Sequence, residues 1–355
     1  MLYIVFTTGR CNLKCDYCGG SFPPRKVPWS ISYNPESLKK LVERDPDATV
    51  AFYGGEPLLN SRFIKWVMDN VRAKHFVIQT NGTLYKLLPD DYWLRFDTVL
   101  LSIDGRPSTT DRHRGQGVYQ RVIEAAKHLR EIGFQGDLVA RMTVTEDTDI
   151  YEDVKHLLEL NLFSHVHWQL DVVWSDRWNS FERWRDESYL PGLRKLMRAW
   201  ILEIRKGRVL GIAPFKAIAS QVIFGNVYPA PPCGSGVNSV SVLTDGRITA
   251  CPIAVEERWA ELGRLERGFM LKNAWIQEPC IRCPYFRFCG GRCLYAYIER
   301  YWGDEGFQAV CKATKELVNI VLASIPLLLS ALDRGLIKSG DLLYPPFNNT
   351  VEVIP

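Results

Sequence analysis

The chain has 355 residues, is 46% hydrophobic and carries a formal net charge of +4, so it is long enough for one large domain or two with a sizeable interior. The mild charge and the lack of basic tracts or stacking motifs argue against nucleic acid as a partner. Met1 to Phe6 lack the basic stretch and long apolar core of a signal peptide, and no run of eighteen or more apolar residues marks a membrane span. A cytoplasmic chain is expected, and there ten cysteines point to metal rather than to disulfides.

In chain order, strands are expected at Leu2–Thr7, Ala48–Phe52, His75–Gln79, Thr98–Ile103, Gly136–Val144 and His165–Val173, alternating with helical segments as in a parallel βα domain. One helix opens with Asn34 as cap and Pro35 at its first position. Another runs from Val118 to Glu131, with Val118, Val122, Ile123, Ala126 and Leu129 on one face and Gly133 past its end. A tryptophan- and arginine-rich helical stretch between Trp174 and Arg208 and a proline-rich hinge, Tyr228 to Pro232, read as a linker. Val237–Leu243 and Arg247–Cys251 flank Thr244-Asp245-Gly246, where Asp-Gly suits a primed hairpin turn. A last apolar helix is expected over Ala313–Leu332, kinked near Pro326. Its most apolar part, Val318–Leu332, is too short and too interrupted by Asn319, Ser324, Pro326 and Ser330 to span a membrane. Asn348-Asn349-Thr350 matches a sequon, which has no consequence without secretion.

Cys11, Cys15 and Cys18 follow the first strand. Their spacing also suits the buried stripe of a helix, but Lys14 and Asp16 interrupt the run and Gly19-Gly20 and Pro23-Pro24 follow it. A zinc knuckle is the other reading, and three thiolates without a nearby histidine make an incomplete structural zinc site. Three thiolates on a four-iron cube leave one iron open to a small molecule. Tyr53-Gly54-Gly55-Glu56-Pro57 ends the second strand, joining glycines that let the backbone approach a ligand to a carboxylate that can pair with an ammonium. Gln79-Thr80-Asn81-Gly82-Thr83 and Leu101-Ser102-Ile103-Asp104-Gly105 end two further strands, and Arg114 stands twelve residues past Ser102. Taken alone, Arg112 and Arg114 also read as a solvated basic turn.

On these residues the chain resembles the radical S-adenosylmethionine (radical SAM) superfamily. The resemblance implies a partial (β/α)6 barrel with its site at the strand C-terminal ends, a [4Fe-4S] cluster on Cys11, Cys15 and Cys18, and S-adenosylmethionine contacts at Tyr17, Gly54, Gly55, Glu56, Ser102 and Arg114. The remaining seven cysteines, Cys233, Cys251, Cys280, Cys283, Cys289, Cys293 and Cys311, resemble the SPASM extension of that superfamily, which houses two auxiliary [4Fe-4S] clusters. Carried over, Cys233, Cys251 and Cys293 hold the inner cluster and Cys280, Cys283, Cys289 and Cys311 the outer. A zinc ribbon would explain Cys280, Cys283, Cys289 and Cys293 but not the other three. Gly234 to Asp245 contains no cysteine, so the inner cluster is expected to keep an open iron, unless water, Glu256 or Glu257 closes it. Sulfatase maturases place an aspartate after the second of these cysteines; here Pro252 follows Cys251.

The fold class is therefore α/β, with a radical SAM partial barrel over 1–210, a linker over 211–232, a SPASM domain with a β-hairpin over 233–315, and a C-terminal helix and tail over 316–355. The expected function is reductive cleavage of S-adenosylmethionine and modification of a peptide or protein side chain, with thioether or other cross-link formation as the product class. The alternatives are a tetrapyrrole or other small-molecule maturase and, from another class, a non-catalytic iron–sulfur electron carrier. Ferredoxin or flavodoxin is the expected reductant. The short segment before Cys11 leaves leader recognition to a separate partner, or the substrate to a larger protein. Arg141, Gln169 and Asp171 fall on late strands, where the register decides whether they face substrate, and no catalytic acid or base stands out.

Overall fold

The computed structural model describes residues 1–173, 175–176, 178–272, 274–344 and 354–355. Trp174 and the Asn348-Asn349-Thr350 motif lie outside them. Six parallel strands, β1 (Leu2–Thr8), β2 (Thr49–Gly54), β3 (His75–Thr80), β4 (Thr98–Ser102), β5 (Asp137–Val144) and β6 (His165–Leu170), lie side by side in chain order. Each agrees with an expected strand to within a few residues, because a strand covered on both faces reads as an unbroken apolar run; all of β1 is buried. The sheet stays open, as a partial barrel requires, and helices such as Val118–Glu131 and Ile150–Glu159 connect its strands. Asn34 caps Pro35–Val42 by accepting from the Glu36 amide, and Gly133 follows Val118–Glu131 at φ +84°.

Four shorter strands, β7 (Ser239–Val242), β8 (Arg247–Thr249), β9 (Glu261–Arg264) and β10 (Gly268–Phe269), continue the same sheet. β7 pairs in parallel with β1, Leu2 opposite Ser239, and β8 to β10 follow antiparallel. The cysteine-rich region is thereby fastened to the barrel through the barrel's own first strand. The hairpin between β7 and β8 is present, but its turn differs from the expected primed type. The Gly246 amide donates to the Leu243 carbonyl, and within this turn only Gly246, at φ +79°, is left-handed. That combination is a type I turn closed by a glycine bulge, which matches strand twist without forcing Asp245 to positive φ.

The stretch expected as a linker over 211–232 contains the helix Ala213–Phe224, nearly all of it buried, with Gly225 at its C-cap. The C-terminal helix runs from Gly303 to Asp333, ten residues earlier than expected and unbroken through Pro326. By length and composition it is long and apolar enough to cross a membrane, a test that the core helix of a soluble protein also passes. Serine does not break it, since the Ser324 hydroxyl donates back to the Val321 carbonyl at 2.7 Å. It packs against Leu190–Arg205 and Ala213–Phe224, burying Leu317, Val318, Val321 and Leu328.

Candidate active site

The strand C-terminal ends converge on the loop that carries Cys11, Cys15 and Cys18. The Gly55 amide donates to the Thr8 carbonyl at 3.0 Å and the Glu56 amide to the Arg10 carbonyl at 2.7 Å, knitting the turn after β2 to the cysteine loop. This contact by itself requires the two glycines. A Cβ on Gly54 would stand 2.3 Å from the Thr8 carbonyl oxygen, and one on Gly55 2.3 Å from that of Arg10. The Ser21 hydroxyl accepts from the Cys11 amide at 2.9 Å, and the Asn81 side chain reaches the Cys11 sulfur at 3.9 Å.

Glu56 is 1% exposed. Its Oε1 accepts from the Leu58 amide and the Thr80 hydroxyl, and its Oε2 from the Asn81 amide. Burial nevertheless pushes its carboxyl up to about 7, against the pull of those three donors. Across the cavity, Arg114 closes a two-bond fork on Asp104. Asp104 also accepts from the Tyr17 hydroxyl at 3.0 Å and the Thr143 amide at 2.8 Å, and the Arg114 guanidinium lies 5.3 Å from the centre of the Tyr17 ring. Arg114 is thus held and buried, not solvated, whereas Arg112 is an exposed partner of Asp147. His113, on the same helix, ties the cysteine loop down through Asp16 at 2.9 Å.

A cavity of about 650 Å³ joins these groups: Cys11, Cys15 and Cys18, Tyr17, the Gly54-Gly55-Glu56 turn, Ser102 and Arg114 all line it. Arg141, Gln169 and Asp171 line it too, which answers the register question. Arg141 stands opposite His167, and Gln169 opposite Thr143, and Arg141 Nη1 donates to His167 Nδ1 at 3.0 Å. Burial holds His167 well below its usual range, in keeping with a neutral acceptor.

Cys233, Cys251 and Cys293 share the wall of a smaller adjoining cavity of about 110 Å³ with Pro252, Arg292 and Ser235. Burial pushes the Cys251 thiol well up, with Cys293 and Cys233 adding to the effect, and the Ser235 hydroxyl lies 3.1 Å from the Cys233 sulfur. The other four cysteines form a separate electrostatic group. Cys289 is pushed up to about 11 by burial, with Cys311, Cys280 and Cys283 acting in the same direction. All ten cysteines are free thiols. Among the described residues, no three His, Cys, Asp or Glu side chains converge on one point as a single metal ion requires. Cys11, Cys15 and Cys18 line the large cavity and Cys233, Cys251 and Cys293 the small one, and soft sulfur donors suit iron. In the cysteine loop a thiol–thiol hydrogen bond pushes Cys15 up and pulls Cys18 down.

Sequence reasoning missed three participants: Asp104 as the clamp of Arg114, Ser235 beside Cys233, and Arg292 between the two cavities. Asp104 lay within a quoted strand-end motif, and its distance of ten residues from Arg114 was the available signal. The other two are a lone serine and a lone arginine in glycine- and cysteine-rich loops, and nothing in their spacing sets them apart.

Residues 5–160 match the Radical SAM superfamily. A cysteine-type anaerobic sulfatase-maturating enzyme of Clostridium perfringens (strain 13 / Type A) is 22% identical over 344 residues, covering 86% of this chain and 92% of that protein. In fold, the chain is similar to native anSMEcpe with bound AdoMet and the Cp18Cys peptide, at TM-score 0.71 and 21% identity over 94% of this chain and 99% of that one. It is also similar to Streptococcus suis SuiB bound to its precursor peptide SuiA, at TM-score 0.58 and 14% identity over 84% and 72%. With the cysteine loop, the glycine-rich turn and the open parallel sheet in place, the chain is an enzyme whose residues 5–160 form a domain of the Radical SAM superfamily.

Proposed function

We propose that this enzyme is a maturase that cleaves S-adenosylmethionine reductively and modifies a side chain of a peptide or protein. The observation that carries the reading is the single cavity shared by Cys11, Cys15, Cys18, the Gly54-Gly55-Glu56 turn, Arg114 and Cys293. Once loaded on Cys11, Cys15 and Cys18, a [4Fe-4S] cluster supplies the electron that turns S-adenosylmethionine into a 5′-deoxyadenosyl radical able to take hydrogen from an unactivated carbon.

The protein's own part is to hold and orient. Glu56, with three lone-pair sites filled by neutral donors, keeps capacity for the ammonium of the methionine moiety. Arg114 keeps the N–H groups not spent on Asp104 for the carboxylate. Tyr17 and Ser102 line the same wall. Cys233, Cys251 and Cys293 would hold one auxiliary cluster, and Cys280, Cys283, Cys289 and Cys311 the other.

The peptides held by anSMEcpe and SuiB support a peptide substrate here. Cysteine oxidation is the modification nearest to hand among the relatives. Pro252 stands where the resembling maturases are expected to keep an aspartate base, which favours bond formation, a thioether or another cross-link, over alcohol or thiol oxidation. The reading includes ferredoxin or flavodoxin as reductant, a separate leader-binding partner and a cytoplasmic setting. The test is anaerobic reconstitution followed by chemical reduction with S-adenosylmethionine: 5′-deoxyadenosine and methionine should form. Their absence from fully loaded protein would remove the reading.

A further inference from the structure

Arg292 is the exception among the buried arginines. Arg114 has Asp104, Arg185 has Asp186 and the half-buried Arg247 has Asp245. The Arg292 side chain is in a residue only 8% exposed, yet among the described residues it has no hydrogen-bond or ion-pair partner. It lines both the large cavity of the cysteine loop and the small cavity of Cys233, Cys251 and Cys293. With no such partner for its side chain, Arg292 leaves its N–H donors available to an anion entering the cavity.

The backbone holds this residue in place. Arg292 sits at φ +62°, in the left-handed region that a non-glycine residue enters at a cost, and its amide donates to the Cys289 carbonyl at 2.6 Å. The backbone is thereby set between Cys289, an expected outer-cluster cysteine, and Cys293, an inner one. Four carboxylates line the large cavity, Glu56, Asp171, Glu256 and Glu257, and two of them are paired elsewhere. Glu56 is held by Leu58, Thr80 and Asn81, and Glu256 pairs with Lys26. Gln79, Gln169 and Arg141 line the same two cavities, so the wall is rich in donors.

We propose that Arg292 is the substrate-recognition residue for a carboxylate, selecting a peptide that brings an acidic side chain or a C-terminal carboxylate into the cavity. The assignment rests on the peptide-maturase reading and narrows it to a substrate class. A fork of parallel N–H donors suits a carboxylate, and lysine reproduces its charge but not its geometry.

The test uses anaerobically reconstituted full-length protein, wild type, Arg292→Lys and Arg292→Gln, with iron content and cluster absorbance reporting that each variant is folded and loaded. The probes are N-acetylglutamate α-amide, which carries a side-chain carboxylate, N-acetylglycine, which carries a terminal one, and N-acetylglutamine α-amide, which carries neither. Titrations followed by tryptophan fluorescence and by the thermal midpoint should show the wild type binding at least one carboxylate probe and not the amide. Affinity should fall at least tenfold in Arg292→Gln and partly recover in Arg292→Lys. Whichever carboxylate probe responds identifies the source. Equal responses to carboxylate and amide, or an Arg292→Gln titration matching wild type, would overturn the assignment. So would an altered reduction potential of the inner cluster in Arg292→Gln with carboxylate binding unchanged, which would make the arginine a counter-charge to the cluster. Cleavage of S-adenosylmethionine by wild type is measured alongside: if it fails, the functional reading falls, and if it succeeds without a carboxylate response, only the role of Arg292 does.

Discussion

Asp104 and Arg114 meet through two parallel hydrogen bonds, Arg114 Nε to Asp104 Oδ2 at 2.8 Å and Nη2 to Oδ1 at 2.7 Å, with both side chains buried. Ten residues apart in sequence, they join the end of β4 to the helix Pro107–Arg114 and, through Tyr17, to the cysteine loop.

Removing one partner leaves the other charged and buried. Asp104→Asn, nearly isosteric, should destabilise the protein by about 3–5 kcal/mol, the range for breaking a buried pair. Anaerobic denaturant unfolding reads this directly, and a change under about 1 kcal/mol would mean that the pair is solvated in solution.

Arg114→Ala should weaken S-adenosylmethionine binding by roughly 1.5–3 kcal/mol, the scale of a charged hydrogen bond, measured by equilibrium dialysis on loaded protein. The same variant also strands Asp104, so it should lose stability as well. Unchanged affinity would confine Arg114 to its structural role with Asp104.

The Glu56 carboxyl is raised from 4.5 to about 7 by burial, so at pH 6 the folded protein holds a proton there that the unfolded chain has largely lost. The resulting stability is fully present below about pH 4.5 and is lost as pH rises through 7, in all roughly 3 kcal/mol. Ammonium binding needs the carboxylate, so S-adenosylmethionine affinity should move the opposite way and strengthen from pH 6 to pH 8. In Glu56→Gln both dependences should flatten. A wild-type affinity that is level across that range would contradict the pairing.

Much of the barrel was legible because each of its strands is an apolar run closed by a polar or glycine-rich turn, as at Ala48–Phe52 before Tyr53-Gly54-Gly55. The cysteine spacings were legible for a similar reason: they are local. What sequence withheld was long-range. Register decided that Arg141, Gln169 and Asp171 face the cavity, and pairing across the fold decided that Arg114 is clamped by Asp104. The C-terminal helix was read ten residues short because Gly303 and Gly306 and the polar residues around them look like a loop. In the fold, Val310, Ala313 and Leu317 supply a buried face that continues the helix toward Gly303. The glycines of the turn after β2 were read as a close approach to a ligand; the fold adds a close approach to the backbone of the cysteine loop.

Gly55→Ala tests that last point. Its Cβ would overlap the Arg10 carbonyl, so the variant should lose about 1–3 kcal/mol, the cost of overpacking, and fail to retain the iron bound through Cys11, Cys15 and Cys18. Full iron retention with unchanged stability would show that the two loops are farther apart than described.

The most direct measurement is 5′-deoxyadenosine formation by the reduced, iron-loaded enzyme, compared with a variant in which Cys11, Cys15 and Cys18 are all alanine. Wild type should carry about three four-iron clusters and release 5′-deoxyadenosine. The variant should keep about two clusters and release none. A loaded wild type that leaves S-adenosylmethionine intact, or a triple variant that still cleaves it, would contradict the account.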